Sequence, residues 1–416
     1  MTNSASARVM LTLAALAYRG FQDALTGSVH ERIVTGALLD GLQTLAPVKN
    51  EWDLVWGPAT DRAPGQAVDA NAMYVVRSRQ APQRLVVAIR GTNPVSISDW
   101  VFGDFWVGET VDWPYATAAE PAAISQSTAL GLAALQAMRS RAPVARSTND
   151  VTTFIAGAIT TLQRAAREGP QNLLAATPAW FESQVRKLAD RLQSAADRAD
   201  SLGDRPAGAV AIESSRLRRQ LGTVPGADDD RGLLALLRAE AGSGGAPLEV
   251  AVAGHSKGAA LAQAVAVWLR VALDSPDPQE RWDPTGRARV ECHAFAGPTP
   301  GNVGFARRIE QKLGPHHHHL RNLNDIVTHA WQVDELRAIP ALYGDRSAIF
   351  ERLVGVIARK VERFTYRQAA LGVIPFHGAL DPTRSLATEF VYQHLAAYLA
   401  ELGLHAEGIS ARTFFI

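Results

Sequence analysis

The chain has 416 residues, 47% of them hydrophobic and 20% charged, and its formal net charge is +1. A chain of this composition buries a large core, but it lacks the strongly basic balance that nucleic-acid binding requires, so we expect no nucleic-acid partner. Its one cysteine, Cys292, excludes an intramolecular disulfide and lies in an apolar run, where we expect a buried thiol.

The first twenty residues, MTNSASARVMLTLAALAYRG, contain a short apolar run after Arg8. This loosely resembles a secretory signal peptide, but the charged segment is thin, and we favour a core helix. No apolar run reaches the eighteen or so residues that cross a bilayer, so we predict no transmembrane segment. The sequence is compatible both with a cytoplasmic location and with export without a clear signal peptide.

Three short runs rich in branched residues follow, and they are typical of strands: WDLVWGPA, NAMYVVRS and RLVVAIRG. The third run leads into Thr92, whose backbone N–H and side-chain hydroxyl are two candidate hydrogen-bond donors beyond the strand end. This stretch alone does not indicate an oxyanion donor, because a polar residue often follows the end of a strand. A helical pattern, TALGLAALQAMRS, comes next.

Residues 142–228 break this rhythm because they show helical periodicity and no convincing strand. In FESQVRKLADRLQSAADRADSLGD, apolar residues recur every three or four positions and leave a polar opposite face, which suits packing on one other helix. We predict a helical cap at 142–228, inserted into an α/β core made of 1–141 and 229–416. The cap is either a lid over an active site or a support for stability or dimerisation.

The later strand patterns are LEVAVAG, RVECHAFAG and HLRNLND, and they alternate with the helical patterns GAALAQAVAVWLRVAL and FARRIEQKLG. These strands are nearly all apolar, which is expected when both faces of a sheet are covered. The alternation therefore predicts an α/β protein with a mainly parallel central sheet flanked by helices.

The segment AVAGHSKGAALA carries a G-x-S-x-G pattern centred on Ser256, between a predicted strand and a predicted helix. A serine hydroxyl is a weak nucleophile, and a sharp strand-to-helix turn flanked by small residues exposes it to a substrate and to a base. Gly254 and Gly258 supply the small flanks. We therefore predict that Ser256 is a nucleophile and that the N–H of Lys257 contributes to an oxyanion hole.

Four blocks together resemble class 3 lipases, the family that includes the fungal triacylglycerol lipases: LVVAIRGTNPVSISDWVFGDF, AVAGHSKGAALA, AFAGPTPGNVGFA and NLNDIVTHA. The resemblance implies an α/β-hydrolase fold, with Thr92 as an oxyanion residue, Ser256 as the nucleophile and Asp325 as the triad acid. The matched blocks cover residues of roughly 70 to 330, and Lys257 stands where many members carry leucine.

The base should follow the acid, because the chain order in α/β-hydrolases is Ser, Asp, His. His329 is too close in sequence to Asp325, and the run 316–319 precedes it. We favour His394, whose His-Leu-x-x-Tyr context resembles the family's C-terminal segment, and keep His377 as the alternative.

The four consecutive histidines at 316–319 suggest metal binding. They cannot all face one ion, and no carboxylate or cysteine stands at useful spacing, so we expect an exposed loop that binds metal adventitiously. We predict no metal site and no cofactor.

The function predicted from these features is a serine carboxylic-ester hydrolase of lipase type, acting on triacylglycerol-like lipid esters at a lipid–water interface. One alternative is a phospholipase, including a lipolytic effector aimed at membranes. Another is an inactive lipase-like module that binds lipid or protein.

Overall fold

The computed structural model describes residues 4–19, 27–61, 71–91, 109–140, 231–243, 245–342, 348–407 and 409–410. The predicted insert at 142–228 and the predicted oxyanion residue Thr92 lie outside the described residues, so both remain predictions.

The described strands form a seven-stranded sheet and a separate two-stranded one. In chain order they are β1 Trp52–Asp61, β2 Asn71–Ser78, β3 Arg84–Ile89, β4 Thr110–Asp112, β5 Ala123–Ser125, β6 Glu249–His255, β7 Arg289–Phe295, β8 His317–Asn322 and β9 Val373–Phe376.

The large sheet has the order β1-β2-β3-β6-β7-β8-β9. Its first three strands are antiparallel neighbours, and every pairing from β3 to β9 is parallel. The mainly parallel sheet predicted from the alternating pattern is therefore present. The carboxyl ends of its parallel strands meet at one edge, where α/β proteins place their sites.

The described α-helices, numbered in chain order, are α1 Ser4–Leu16, α2 Gly27–Thr44, α3 Gln126–Ala137, α4 Leu233–Ser243, α5 Lys257–Leu273, α6 Val303–Leu313, α7 Val333–Leu342, α8 Ala348–Val361, α9 Leu386–Val391 and α10 Ala397–Glu401. A π-helical turn at Tyr392–Ala396 joins the last two. Among these described helices, none has the length and hydrophobicity that a bilayer crossing requires.

Two hydrophobic cores cover the two faces of the sheet. Side chains alternate along a strand, so Val87 and Val252 belong to the core shared with α3 and α5, while Val86 and Ala253 belong to the core shared with α1 and α10. Both faces are buried, which explains why these strands read as continuous apolar runs.

Helix α1 is part of the second core. Its residues 10–16 are fully buried, and the helix packs on β3, β6 and β7. The apolar run near the start of the sequence is therefore a core helix, as favoured above. Cys292 is also buried as expected, on β7, and burial raises the pKa of its thiol.

The expectation that residues 316–319 form an exposed loop is wrong. His317–Asn322 is strand β8, which lies between β7 and β9 inside the sheet. His317 and His319 are fully buried on one face, and His318 points to the other. Burial holds the pKa of both buried imidazoles below the usual value, so they fit the interior as neutral groups.

Candidate active site

Ser256 stands at the sharp turn between β6 and α5. Its backbone has φ 62° and ψ −132°, a conformation that L-residues other than glycine rarely adopt. The Ser256 N–H donates to the carbonyl of Phe295 on β7 at 2.9 Å, which ties the turn to the neighbouring strand. The turn places the serine at the carboxyl edge of the sheet and at the N-terminus of α5, where partial positive charge gathers.

Close backbone contacts explain the glycines on both sides of this serine. A Cβ at position 254 would lie 2.1 Å from the carbonyl oxygen of Gly258, and a Cβ at position 258 would lie 2.5 Å from the carbonyl oxygen of Ile89. Either contact is far below van der Waals separation, so α5 crosses β6 and β3 at a distance that only glycine permits.

Gly91 brings the end of β3 against the nucleophile. A Cβ at position 91 would lie 3.1 Å from the Cβ of Ser256 and 2.6 Å from the carbonyl oxygen of His255. The described chain stops at Gly91 here. The residue predicted to supply an oxyanion donor, Thr92, follows Gly91 directly in the sequence.

Asp325 and His394 form a buried hydrogen-bonded pair. His394 Nδ1 donates to Asp325 Oδ2 at 2.8 Å, and Tyr398 Oη donates to the same oxygen at 3.2 Å. The other carboxylate oxygen, Oδ1, accepts the N–H of Val327 at 3.0 Å as the cap of a short 3₁₀ turn. Donation from Nδ1 fixes the imidazole tautomer and makes Nε2 the nitrogen that carries the lone pair.

The ring of His394 is held between two aromatic neighbours beside the serine turn. Phe390 stacks on it with 5° between the ring planes, and the ring of His255, the residue before Ser256, lies 4.8 Å away between centroids. His394 itself sits in the π-helical turn, and such turns in α-helices often occur at functional sites.

A buried network that sequence reasoning missed connects this histidine to β3. His255 Nε2 donates to the backbone carbonyl of His394 at 3.0 Å. Tyr18, just after α1, donates to the carbonyl of His255 at 3.1 Å and accepts the N–H of Gly91 at 3.0 Å. Burial, together with nearby His394, holds the pKa of His255 well below 6.5, so this imidazole stays neutral.

The other histidines considered as bases lie in different surroundings. His377 is exposed just beyond β9. His329 Nε2 is 2.9 Å from the carbonyl of Leu323, and Nδ1 is 3.5 Å from Glu335. Of the three, His394 is the one that the structure pairs with Asp325.

The Pro-Gly-Asn block quoted above has a structural role in the described chain. Asn302 caps α6, where its side-chain oxygen accepts the N–H of Phe305 and that of Ala123, each at 3.0 Å. Gly301 packs against β5, where an added Cβ would lie 2.4 Å from the carbonyl of Ala123.

Comparison with known proteins adds two findings. Residues 233–335, which include Ser256 and Asp325, match the family model described as lipase (class 3). The crystal structure of M37 lipase matches with a TM-score of 0.67 at 24% identity, covering 98% of this chain and 96% of that one. No curated protein is significantly similar to the chain in sequence.

Two fungal structures are also similar, with lower scores. A mutant form of MDLA from Penicillium cyclopium is 14% identical over 80% of this chain and 76% of its own, with a TM-score of 0.32. A lipase–propeptide complex from Rhizomucor miehei is 12% identical over 80% and 64%, with a TM-score of 0.34. The family-model match over residues 233–335 agrees with the predicted resemblance to class 3 lipases. The M37 lipase match confirms the predicted α/β-hydrolase fold.

Proposed function

We propose that this class 3 lipase homologue is a serine carboxylic-ester hydrolase that acts on lipid esters of the triacylglycerol type. The family match supports lipase-type ester hydrolysis. The observation that carries the proposal is the buried Asp325–His394 pair, 2.8 Å apart, beside the strained turn that presents Ser256.

In the proposed reaction, Ser256 Oγ attacks the ester carbonyl while His394 Nε2 takes its proton. Asp325 accepts the Nδ1–H throughout and stabilises the imidazolium that forms. The backbone N–H of Lys257, with a donor from Thr92, binds the tetrahedral oxyanion. His394 then returns the proton to the leaving alcohol, and water releases the fatty acid from the acyl-serine by the same route.

Burial of the nucleophile supports action at a lipid surface. Only 2% of Ser256 is exposed, and its Oγ makes no hydrogen bond among the described residues. We propose that contact with a lipid surface increases the access of an ester carbonyl to this oxygen. We therefore expect the rate on a dispersed ester to rise when detergent micelles or an oil–water interface is present.

The test is hydrolysis of p-nitrophenyl esters from acetate to palmitate by wild type, Ser256→Ala, His394→Ala and His377→Ala. We expect Ser256→Ala and His394→Ala each to lower kcat by about 10⁴-fold or more, as losses of a nucleophile or its base do in serine hydrolases. His377→Ala, the matched histidine control, should keep the wild-type rate because its side chain is exposed outside the proposed triad.

Equal losses in His377→Ala and His394→Ala would contradict the assignment of the base. Full activity in Ser256→Ala would contradict the nucleophile. A triacylglycerol emulsion and phospholipid vesicles, assayed side by side, separate a lipase from a phospholipase. A wild-type chain that binds either lipid without turnover would identify the inactive module.

A further inference from the structure

Three potential metal ligands meet on strands β7 and β8, on the face of the sheet that α1 covers. Glu291 and His293 are two residues apart on β7 and so point to the same face. His318 on β8 is the direct cross-strand partner of His293 in the parallel register. The ligand atoms of all three side chains lie within 4.8 Å of one another.

The side chains of this Glu–His–His cluster lie close together. His293 Nε2 is 3.3 Å from Glu291 Oε1, and the imidazole rings of His293 and His318 are 4.8 Å apart with 33° between their planes. Ligand atoms around a tetrahedral ion at about 2.0–2.2 Å stand about 3.3–3.6 Å apart. The His293–Glu291 separation already matches this, and the remaining separations, within 4.8 Å, exceed it by at most about 1.5 Å. Small rotamer changes would therefore complete the coordination.

The buried nitrogen of His293 supports the same site. His293 is 3% exposed, and its Nε2 faces Glu291 Oε1 at 3.3 Å without hydrogen-bond geometry to any described residue. A buried polar atom left without a hydrogen bond destabilises the fold. A cation beside Nε2 would remove that penalty by using the lone pair of this nitrogen.

We propose that Glu291, His293 and His318 bind one divalent transition-metal ion of the Zn²⁺ type, with a water molecule in the fourth position. Two imidazoles and one carboxylate form a ligand set that Zn²⁺ accepts, whereas Mg²⁺ and Ca²⁺ prefer sites made of oxygen ligands alone and rarely bind imidazole nitrogen. Glu291 and His318 are half-buried, so an ion and its water have a route from solvent.

The ion would join β7 to β8 and is separate from the proposed ester-hydrolysing site. In the sheet register His293 is level with Ala253, and Glu291 with Ala251, whereas Ser256 stands beyond the end of β6. Arg84 lies 3.7 Å from Glu291 Oε1 and acts as its counter-ion; the metal would compete with this arginine for the carboxylate. The predicted role is structural, because the ion would bind only where both strands are in place.

The experiment uses the full-length, untagged protein, stripped of metal with EDTA. Zn²⁺ binding is followed by calorimetry, and Co²⁺ binding by the visible absorption that cobalt shows in a tetrahedral nitrogen–oxygen site. We expect one ion per chain, and a higher Tm when Zn²⁺ is in excess. Glu291→Gln and His318→Gln should each weaken binding at least 10-fold and reduce the cobalt absorption.

His316→Gln is the matched control, because His316 belongs to the same histidine run but is exposed and outside the cluster. It should bind Zn²⁺ as the wild type does. Equal weakening in His316→Gln and His318→Gln would overturn the proposal, because it would mean that the exposed run binds metal adventitiously. Absence of stoichiometric binding to the wild type would also overturn it.

Discussion

Ser256 combines its proposed chemistry with an unfavourable backbone. A non-glycine residue at positive φ in a sparsely populated region costs of order 1–3 kcal/mol, which surrounding structure must offset. Here the offset comes from the carbonyl of Phe295 and from the close packing of α5 against the sheet. The strain belongs to the turn, so it persists whichever L-residue occupies the position.

Two substitutions of Ser256 can therefore distinguish its effect on stability from its proposed role in catalysis. Ser256→Gly and Ser256→Ala both remove the hydroxyl, but only glycine relaxes the backbone. We expect the free energy of unfolding of Ser256→Gly to exceed that of Ser256→Ala by about 1 kcal/mol, after the entropy cost of glycine is subtracted. The glycine variant should therefore unfold at a higher urea concentration. Urea unfolding followed by circular dichroism measures the difference. Equal stabilities would mean that the turn carries no such strain.

At the scale of elements, Tyr18, just after α1, links the end of β3 to the end of β6 beside Ser256. Tyr18 binds both Gly91, at the end of β3, and His255, at the end of β6. One hydroxyl thus sets the distance between the two strand ends that flank Ser256. A packing role alone would not require the hydroxyl.

Tyr18→Phe should therefore lower kcat by about 10-fold with little change in KM, because a displaced oxyanion donor weakens binding of the transition state more than of the substrate. The matched control is Tyr74→Phe. Tyr74 is also buried, and its hydroxyl donates to the carbonyl of Leu13 in α1 at 2.5 Å, away from the serine. It should lose stability but keep kcat. If Tyr18→Phe and Tyr74→Phe lowered kcat equally, the role of the Tyr18 hydroxyl would be structural only.

Much of the fold and of the proposed triad follows from sequence because the signals are local. The strand–turn–helix around Ser256 is a continuous segment, and Asp325 and His394 stand in short recognisable contexts. The partnership of Tyr18 with His255 spans 237 positions and has no local signature. The Glu291–His318 approach likewise arises only when β7 pairs with β8, which is why spacing along the chain concealed the carboxylate beside the histidine run.

At the scale of the whole molecule, buried histidines make folding sensitive to acid. Burial lowers the pKa of His255 and of His329 below the ordinary 6.5, with further contributions from nearby charges. Below pH 6.5 the unfolded chain therefore binds more protons than the folded chain. Their stabilising contribution is complete above pH 6.5 and declines as pH falls through that value.

We expect the Tm to fall steeply between pH 6.5 and pH 5, and His329→Gln to make this slope shallower. The change corresponds to about one proton fewer taken up on unfolding, or up to about 1.4 kcal/mol per pH unit. Glutamine keeps a side-chain amide near the carbonyl of Leu323 but does not titrate. Calorimetric scans across pH provide the measurement, and the slopes above pH 7 serve as the internal control. Identical slopes at acid pH would contradict the assignment.

The close backbone packing around Gly91, Gly254 and Gly258 limits which residues can change as homologous sequences diverge. These three glycines are required where α5 and Tyr18 approach the strands, whether or not an ester is ever cleaved. A descendant that lost its catalytic activity but kept its architecture would retain all three and be free to change the serine, the aspartate or the histidine. Among such descendants, the glycines record descent from this scaffold, and only the three reactive side chains distinguish an active enzyme from an inactive one.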